Sequence, residues 1–345
     1  CRLFLRFIGR SPCGTFLDMG TGAGIAAMLA SLFAREVWAV DIVERAVRYA
    51  QWNCALNGVE NVTVVQGDLF TPVHGMQFDR IASNPPFEPS LTGDVVFSCG
   101  GEDGEAILSR LIAETPRHLA PGGRLYCQVE GTDRANESLD ERIVRWLGND
   151  AGVHDTALFV RDTYDPLDFA SQQVVHSNQD AAMLERWTEL YGRLQARAVT
   201  MGHLILQQHE ARRESFHRRA KFHPETTIGG LEKCVDDETH IASSAMEEIR
   251  PTPGAGWELH VRHRPHDGDL RPQSYTFVTQ SPLQGEWSVP AWMARVVSRT
   301  DGEITAEQHA RWAEANAGVR ADECYSWLRL LLWAGVLVLP VQEES

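Results

Sequence analysis

The sequence predicts a doubly wound α/β fold on a mostly parallel sheet, followed by a smaller α+β appendage at the C-terminal end. Three observations carry the prediction. Short β-rich runs alternate with helical runs of roughly ten to fifteen residues through the first third of the chain, the pattern of right-handed crossovers. A glycine-rich turn sits where the first β-rich run gives way to the first helical one. Near residue 210 the composition changes and the alternation stops.

Taken in order, residues 16–19 form an apolar run that ends in glycines, and 25–34 are rich in Ala and Leu and read as helix. Residues 37–40 are a strand closed by Asp41, and 44–56 a helix stopped by Asn57-Gly58. Strands follow at 62–65 and at 79–83, the latter halted by Pro85-Pro86. A helix over 105–119 ends at Pro121-Gly122-Gly123, which opens the strand 124–129. A helix at 139–147, a strand near 156–160, a helix near 181–196 and a strand at 203–207 supply the last two strands of the same sheet. Residues 211–221 are then Arg-rich, 226–250 polar and irregular, and 251–256 a Pro/Gly linker signal. The remainder holds six of the ten tryptophans and resembles a small winged-helix module, with helices at 306–315 and 322–333 and a strand at 336–339. The expected division is 1–222 and 223–345, the winged-helix-like part starting at about 257.

Composition narrows the function classes. The 345 residues carry 32 Lys+Arg against 47 Asp+Glu, a formal charge of −15, which repels phosphate backbones unless positive charge is concentrated locally. Seven scattered cysteines with no CxxC pair argue against a disulfide framework and a zinc knuckle, and fit a reducing cytoplasm. The most apolar stretch, 327–339, is short and carries Arg329, so no membrane span is expected. The opening CRLFLRFIGR lacks an initiator Met, which leaves open an upstream segment and any address in it.

Two motifs carry chemistry. In Leu17-Asp18-Met19-Gly20-Thr21-Gly22-Ala23-Gly24 the alternate glycines let backbone pass close beneath a ligand, with the free N–H groups of a helix start behind them. The spacing is GxGxG rather than the GxGxxG of a dinucleotide site, so an NAD oxidoreductase is disfavoured. Asp41, at the end of the second strand, either accepts both hydroxyls of a ribose or caps the following helix. The second motif, Asn84-Pro85-Pro86-Phe87, lies at the carboxyl end of the fourth strand, where open α/β sheets place ligands. Two prolines remove donors and leave carbonyl oxygens without local partners, Asn84 adds an acceptor, and Phe87 offers a flat face. Together they suit a planar –NH2 group.

The order LDMGTGAG, an acid after the second strand, GDLF at 67–70 and then NPPF resembles the class I S-adenosylmethionine-dependent methyltransferases. Within these it is similar to the small-domain group that methylates planar nitrogens: release-factor glutamine amides, guanines of ribosomal RNA and adenine amino groups. Gly100-Gly101-Glu102-Asp103-Gly104 resembles the GGxDG loop of the glutamine-amide branch, whereas Phe87 stands where that branch has tyrosine and is more like the RNA guanine branch. The resemblance covers residues 14–130 and extends more loosely to 210. It implies a seven-stranded Rossmann-like methyltransferase sheet with a reversed last strand, and S-adenosyl-L-methionine as cofactor. It further implies that Asp18, Gly20, Thr21, Gly22 and Gly24 hold the methionine end of the cofactor. Asp41 and Ile42 would meet its ribose, and Asp68 with the Leu69 backbone its adenine. Asn84, which would also touch the cofactor, and the Pro85 carbonyl would hold the target nitrogen, Phe87 would stack on the acceptor, and Pro86 and Glu102 would face the substrate. Methyl transfer from a sulfonium needs no metal. The expected partner is a translation-related protein bearing the glutamine; the alternatives are an RNA or DNA base and, without turnover, a cofactor-binding module.

Other signals have two readings each. His260, His263 and His266 could bind a metal, but Arg262, Arg264 and Pro265 favour a solvated strand and loop. Arg212, Arg213, Arg218, Arg219 and Lys221, interleaved with Phe216 and Phe222, form either a nucleic-acid stripe or a charged strand edge. Tyr164, Pro166 and Phe169 wall a substrate pocket or pack a loop. Cys54 and Cys127 read as core.

Overall fold

The computed structural model describes residues 4–89, 91, 100–176 and 181–340. Cys1 and Cys99 lie outside the described residues. The chain forms two units, Cys1–Arg219 and Ala220–Ser345.

In the first unit the elements are β1 (Cys13–Met19), α1 (Ile25–Ala30), β2 (Ala34–Asp41), α2 (Glu44–Leu56), β3 (Val62–Gln66), β4 (Phe78–Ser83), α3 (Ala106–Glu114) and β5 (Leu119–Arg134). They continue with α4 (Leu139–Leu147), β6 (His154–Tyr164), α5 (Pro166–His176), α6 (Ala181–Leu194) and β7 (Ala196–Gln208). The strands lie in the order β6-β7-β5-β4-β1-β2-β3. β1 pairs parallel with β2 and β4, β2 with β3, and β4 with β5, while β7 runs antiparallel to both β5 and β6. This is the doubly wound sheet with a reversed last strand.

Its strands are apolar on both faces because both are covered. Neighbours on β1 take opposite sides: Leu17 joins Ile81, Leu111, Leu125 and Ile143, whereas Phe16 joins Ala26, Ala27, Val37 and Ala82. Cys54 and Cys127 are buried in this unit.

Several boundaries differ from the expectation. α1 ends at Ala30 and Ala34 already belongs to β2. The helix expected over 105–119 is α3 plus a 3-10 turn, Thr115–Arg117, because Pro116 cannot continue the α-helical ladder. β5 begins at Leu119 and absorbs Pro121-Gly122-Gly123 as an irregularity: Phe78 pairs with Leu119 but Arg80 pairs with Arg124. After β6 the chain forms α5 rather than a loop. Pro166 stands at its first position and the Asp165 carboxylate accepts the N–H groups of Leu167 and Asp168. Phe169 is buried there with Trp187 and Tyr191.

β8 (His217–Phe222) carries the chain into the second unit. Residues 226–250, expected to be irregular, contain the 16-residue α7 (Ile228–Ser243), capped by Thr227 and burying Leu231, Val235 and Ile241. Four positions are buried, these three and Glu238, and most of the others are polar or glycine, so the segment reads as loop by composition. Then come β9 (Thr252–Pro253), β10 (Trp257–His266), β11 (Asp269–Thr279), β12 (Leu283–Val289), α8 (Ala291–Val297), α9 (Ala306–Ala317), α10 (Ala321–Trp333) and β13 (Leu337–Val338). β10–β12 form an antiparallel meander and β13 pairs with β9. Trp257, Trp287, Trp292, Trp312 and Trp327 pack around a core of Phe277, Met293, Leu328 and Leu331. The histidines of β10 are exposed, His260 beside Glu258 and His266 beside Asp267. Among the described residues no helix is long and apolar enough to cross a membrane.

Candidate active site

The glycine turn is shaped by the end of β1. Gly20, Gly22 and Gly24 have φ of 73°, 58° and 83°, a left-handed run that residues with side chains resist. The N–H groups of Gly20 and Thr21 both donate to the Val40 carbonyl at 2.9 Å, so the turn is fastened to the neighbouring strand β2. Within it, Asp18 is buried and accepts the Thr21 hydroxyl at 2.6 Å and the Ala27 N–H at 2.9 Å. Burial pushes its carboxyl up to about 6, against the pull of those two donors.

A cavity of about 290 Å³ opens beside the turn, near the lower end of the roughly 300–1,000 Å³ usual for small-molecule sites. Of the residues expected from sequence, it is lined by Gly20, Gly22, Asp41, Ile42, Asp68, Leu69, Asn84 and Pro86. At Gly20 and Gly22 an added Cβ would meet no atom within 4 Å, so the cradle there is open. Asp18, Thr21 and Gly24 are not among the lining. The Thr21 hydroxyl is spent on one Asp18 oxygen, which also takes the Ala27 N–H. Gly24 instead permits close packing of α1 on α2, since a Cβ would lie 3.1 Å from the Ala50 Cα.

Asp41 does two jobs. One carboxylate oxygen accepts the Gly22 N–H at 2.8 Å and the other the Val43 N–H at 2.9 Å, which ties the glycine turn to the start of α2. Each oxygen keeps a further lone pair for a hydroxyl donor. Leu69 has φ 46°, a left-handed conformation that costs a β-carbon-bearing residue about 1–3 kcal/mol and tends to occur at ligand sites.

Sequence reasoning missed Arg110. It reaches from α3 to the same cavity and its Nη2 donates to an Asp68 oxygen at 2.8 Å. The signal was there, as Arg110 follows six residues after the GGEDG loop on a helix, but spacing alone does not show which way a helix faces. Ile107, one turn before it, lines the cavity as well.

At the end of β4 the Ser83 hydroxyl donates to the Met19 carbonyl at 3.1 Å and fastens this strand end to that of β1. Asn84 follows, and its Oδ1 is buried without a hydrogen-bond partner. Such an acceptor is costly to leave unpaired and is expected to have a use. Pro85 is buried and Phe87 half-buried, while Glu102 is exposed and outside the cavity lining. The GGEDG glycines instead make room for backbone: a Cβ on Gly104 would lie 2.4 Å from the Phe87 carbonyl oxygen. Glu130, not singled out from sequence, lies on β5 beyond the Cys127 partner of Ser83, on the same end of the sheet. Burial, with Glu88 nearby and against Arg161, pushes its carboxyl up to about 7.

The Arg-rich stretch is partly internal. Arg213 pairs with the buried Asp155, and Arg219 forks onto Asp133 and also meets Asp140. Those two charges are not available to a phosphate backbone.

Residues 1–145 match the family model of the methyltransferase small domain. The ribosomal protein uL3 glutamine methyltransferase of Bradyrhizobium diazoefficiens is 34% identical over 150 residues, 38% of this chain and 46% of that one. The release factor glutamine methyltransferase of Gloeobacter violaceus is 35% identical over 127 residues, 33% of this chain and 44% of that one. The ribosomal RNA small subunit methyltransferase C of Alcanivorax borkumensis is 34% identical over 143 residues, 41% and 37% respectively. The chain thus spans about half the length of the curated relatives it matches. Among solved structures, a methyltransferase from Pyrococcus furiosus is similar at a TM-score of 0.38 and 21% identity, over 60% of this chain and 81% of that one.

Proposed function

We propose that this chain, whose first 145 residues match the methyltransferase small domain, transfers a methyl group from S-adenosylmethionine to a planar nitrogen, with a protein glutamine side chain as acceptor. The observation that carries the reading is the buried, unpartnered Oδ1 of Asn84 at the carboxyl end of β4, beside the cavity.

The residues present fit the cofactor. Gly20 and Gly22 leave an open cradle for a backbone-close ligand, Asp41 retains lone pairs for two hydroxyls, and Asp68, Leu69, Ile107 and Arg110 form a mixed polar and apolar end suited to a base. When bound, S-adenosylmethionine supplies an electrophilic methyl on a sulfonium. Asn84 Oδ1 and the Pro85 carbonyl accept the two hydrogens of the acceptor –NH2. They orient the nitrogen toward the methyl and stabilise the positive charge that develops on it. Phe87 packs against the flat face of the acceptor. In the transfer the nitrogen lone pair would form the N–C bond as the methyl C–S bond breaks, the sulfur leaving as the thioether S-adenosylhomocysteine. The nitrogen would then lose one proton to solvent, and no covalent enzyme intermediate is needed.

The amide acceptor is supported by the GGEDG loop, by the charge of −15 and by relatives named as glutamine methyltransferases. A nucleobase acceptor is the second reading, favoured by Phe87 and by the ribosomal RNA relative. Transfer of labelled methyl into a bacterial extract, with the product divided between protease and nuclease, tests the choice. Label lost to protease is expected. Label lost to nuclease makes the acceptor a base, and no label at all leaves a cofactor-binding module without turnover.

A further inference from the structure

Residues 100–105 form a plate on which the Asn84–Phe87 segment rests. The Gly100 N–H donates to the Glu88 carbonyl and the Ala106 N–H to the Gly100 carbonyl, both at 2.7 Å, and Gly104 lies directly against the Phe87 carbonyl. Behind this plate is an ion pair that the cavity does not use. Glu105 is 2% exposed and Arg142, on α4, is 1% exposed. One Glu105 oxygen accepts the Thr132 N–H at 3.0 Å, the Thr132 hydroxyl at 3.2 Å and Arg142 Nη2 at 2.7 Å. The other accepts Arg142 Nε at 2.9 Å and Arg134 Nη2 at 3.1 Å. Arg142 Nη1 donates to the carbonyls of Glu137 and Ser138. Arg134 also reaches Asp103 at 2.8 Å, inside the plate itself.

A buried ion pair is a poor device for stability, because well-packed apolar side chains of similar volume usually do as well or better. What a two-point guanidinium–carboxylate contact adds is a fixed geometry. Here it fixes the start of α3 against β5 and α4, three elements that meet behind the plate. We propose that Glu105 and Arg142 are positioning residues for the acceptor side of the site: they lock the 100–105 plate and, through Phe87 and Glu88, set where Asn84 presents its acceptor. The inference rests on the methyl-transfer reading for its consequence, but not for its geometry.

The test uses the full chain with Glu105→Leu and Arg142→Met combined, an apolar replacement of similar bulk. Four quantities are read: thermal unfolding, S-adenosylmethionine binding by calorimetry, hydrogen exchange at residues 87–88 and 100–106, and the kcat and KM of labelled methyl transfer to purified peptide release factor. The pair also holds the start of α3, whose Ile107 and Arg110 line the cofactor cavity, so S-adenosylmethionine affinity should fall by less than about tenfold, well short of the loss in kcat. Exchange at 87–88 and 100–106 should quicken, and kcat should fall about 100-fold, the scale of a misplaced reacting group. A folded double variant with wild-type exchange and wild-type kcat overturns the proposal. Wild-type protein that transfers nothing to release factor counts against the acceptor reading alone, and unchanged exchange in the variant still overturns the positioning role. Should the double variant not fold, Asp103→Asn keeps a side-chain oxygen for the Glu105 N–H, which Asp103 Oδ1 accepts at 3.0 Å, and loses the charge that pairs with Arg134. It should show the same changes on a smaller scale, and unchanged exchange there is equally decisive.

Discussion

Among single residues, Asp18 has a structural role in the turn that the order of residues alone does not show. The sequence placed it before the glycines and resemblance sent it to the cofactor, whereas its carboxylate closes on Thr21 and Ala27 within the turn. Sequence gives the order of residues around a sharp turn but not which side chains fold inward. The buried carboxyl has a measurable consequence. Its pKa rises from 3.8 to about 6 on folding, so the folded state holds the proton more tightly than the unfolded one. Stability from this group is therefore greatest below the unfolded value and is lost as pH rises through the folded one, by about 3 kcal/mol in total. Asp18→Asn does not titrate. Relative to wild type it should gain stability between pH 4 and pH 7 in urea unfolding, and a difference that stays constant with pH would contradict the assignment. Asn84 and Asp41 were legible in place, both lining the cavity, because a short polar residue at a strand end has little choice of direction. Arg110 was not, since its direction depends on how α3 packs.

At the scale of elements, α2 and α4 matched their expected limits residue for residue, each bounded by a clear signal. Asn57-Gly58 stops α2, and Ser138 with Glu141 forms a capping box for α4. The failures came where composition and packing disagree. α7 is polar on most of its surface and is held by a few inward side chains, and β5 tolerates a Pro-Gly-Gly step because a strand can bulge where a helix would break. The contact of α1 with α2 gives a prediction of its own. Gly24→Ala adds a methyl at φ +83° against Ala50, and should cost about 1–3 kcal/mol from strain and overpacking. The melting temperature should fall accordingly, and a variant as stable as wild type would show that the turn relaxes more freely than its geometry suggests.

For the whole molecule, the alternation of strands and helices was enough to foresee the parallel part of the sheet and the end at which ligands gather, whereas the reversed β7 was expected only from the family resemblance. The second unit was legible as a tryptophan-rich module with α9 and α10 near their true positions, whereas α7 and α8 were not foreseen. The acidic chain and the internal pairing of Arg213 and Arg219 favour a protein substrate over a phosphate backbone, while the unpartnered Asn84 acceptor suits the –NH2 of either. The central claim is that Asn84 serves the acceptor and not the cofactor. Asn84→Ala tests it most directly, by calorimetry with S-adenosylmethionine beside labelled methyl transfer from the same preparation. Loss of one charge-stabilising acceptor predicts turnover lower by about 100-fold or more with cofactor affinity nearly unchanged. Equal loss of binding and transfer, or full transfer without Asn84, would contradict it.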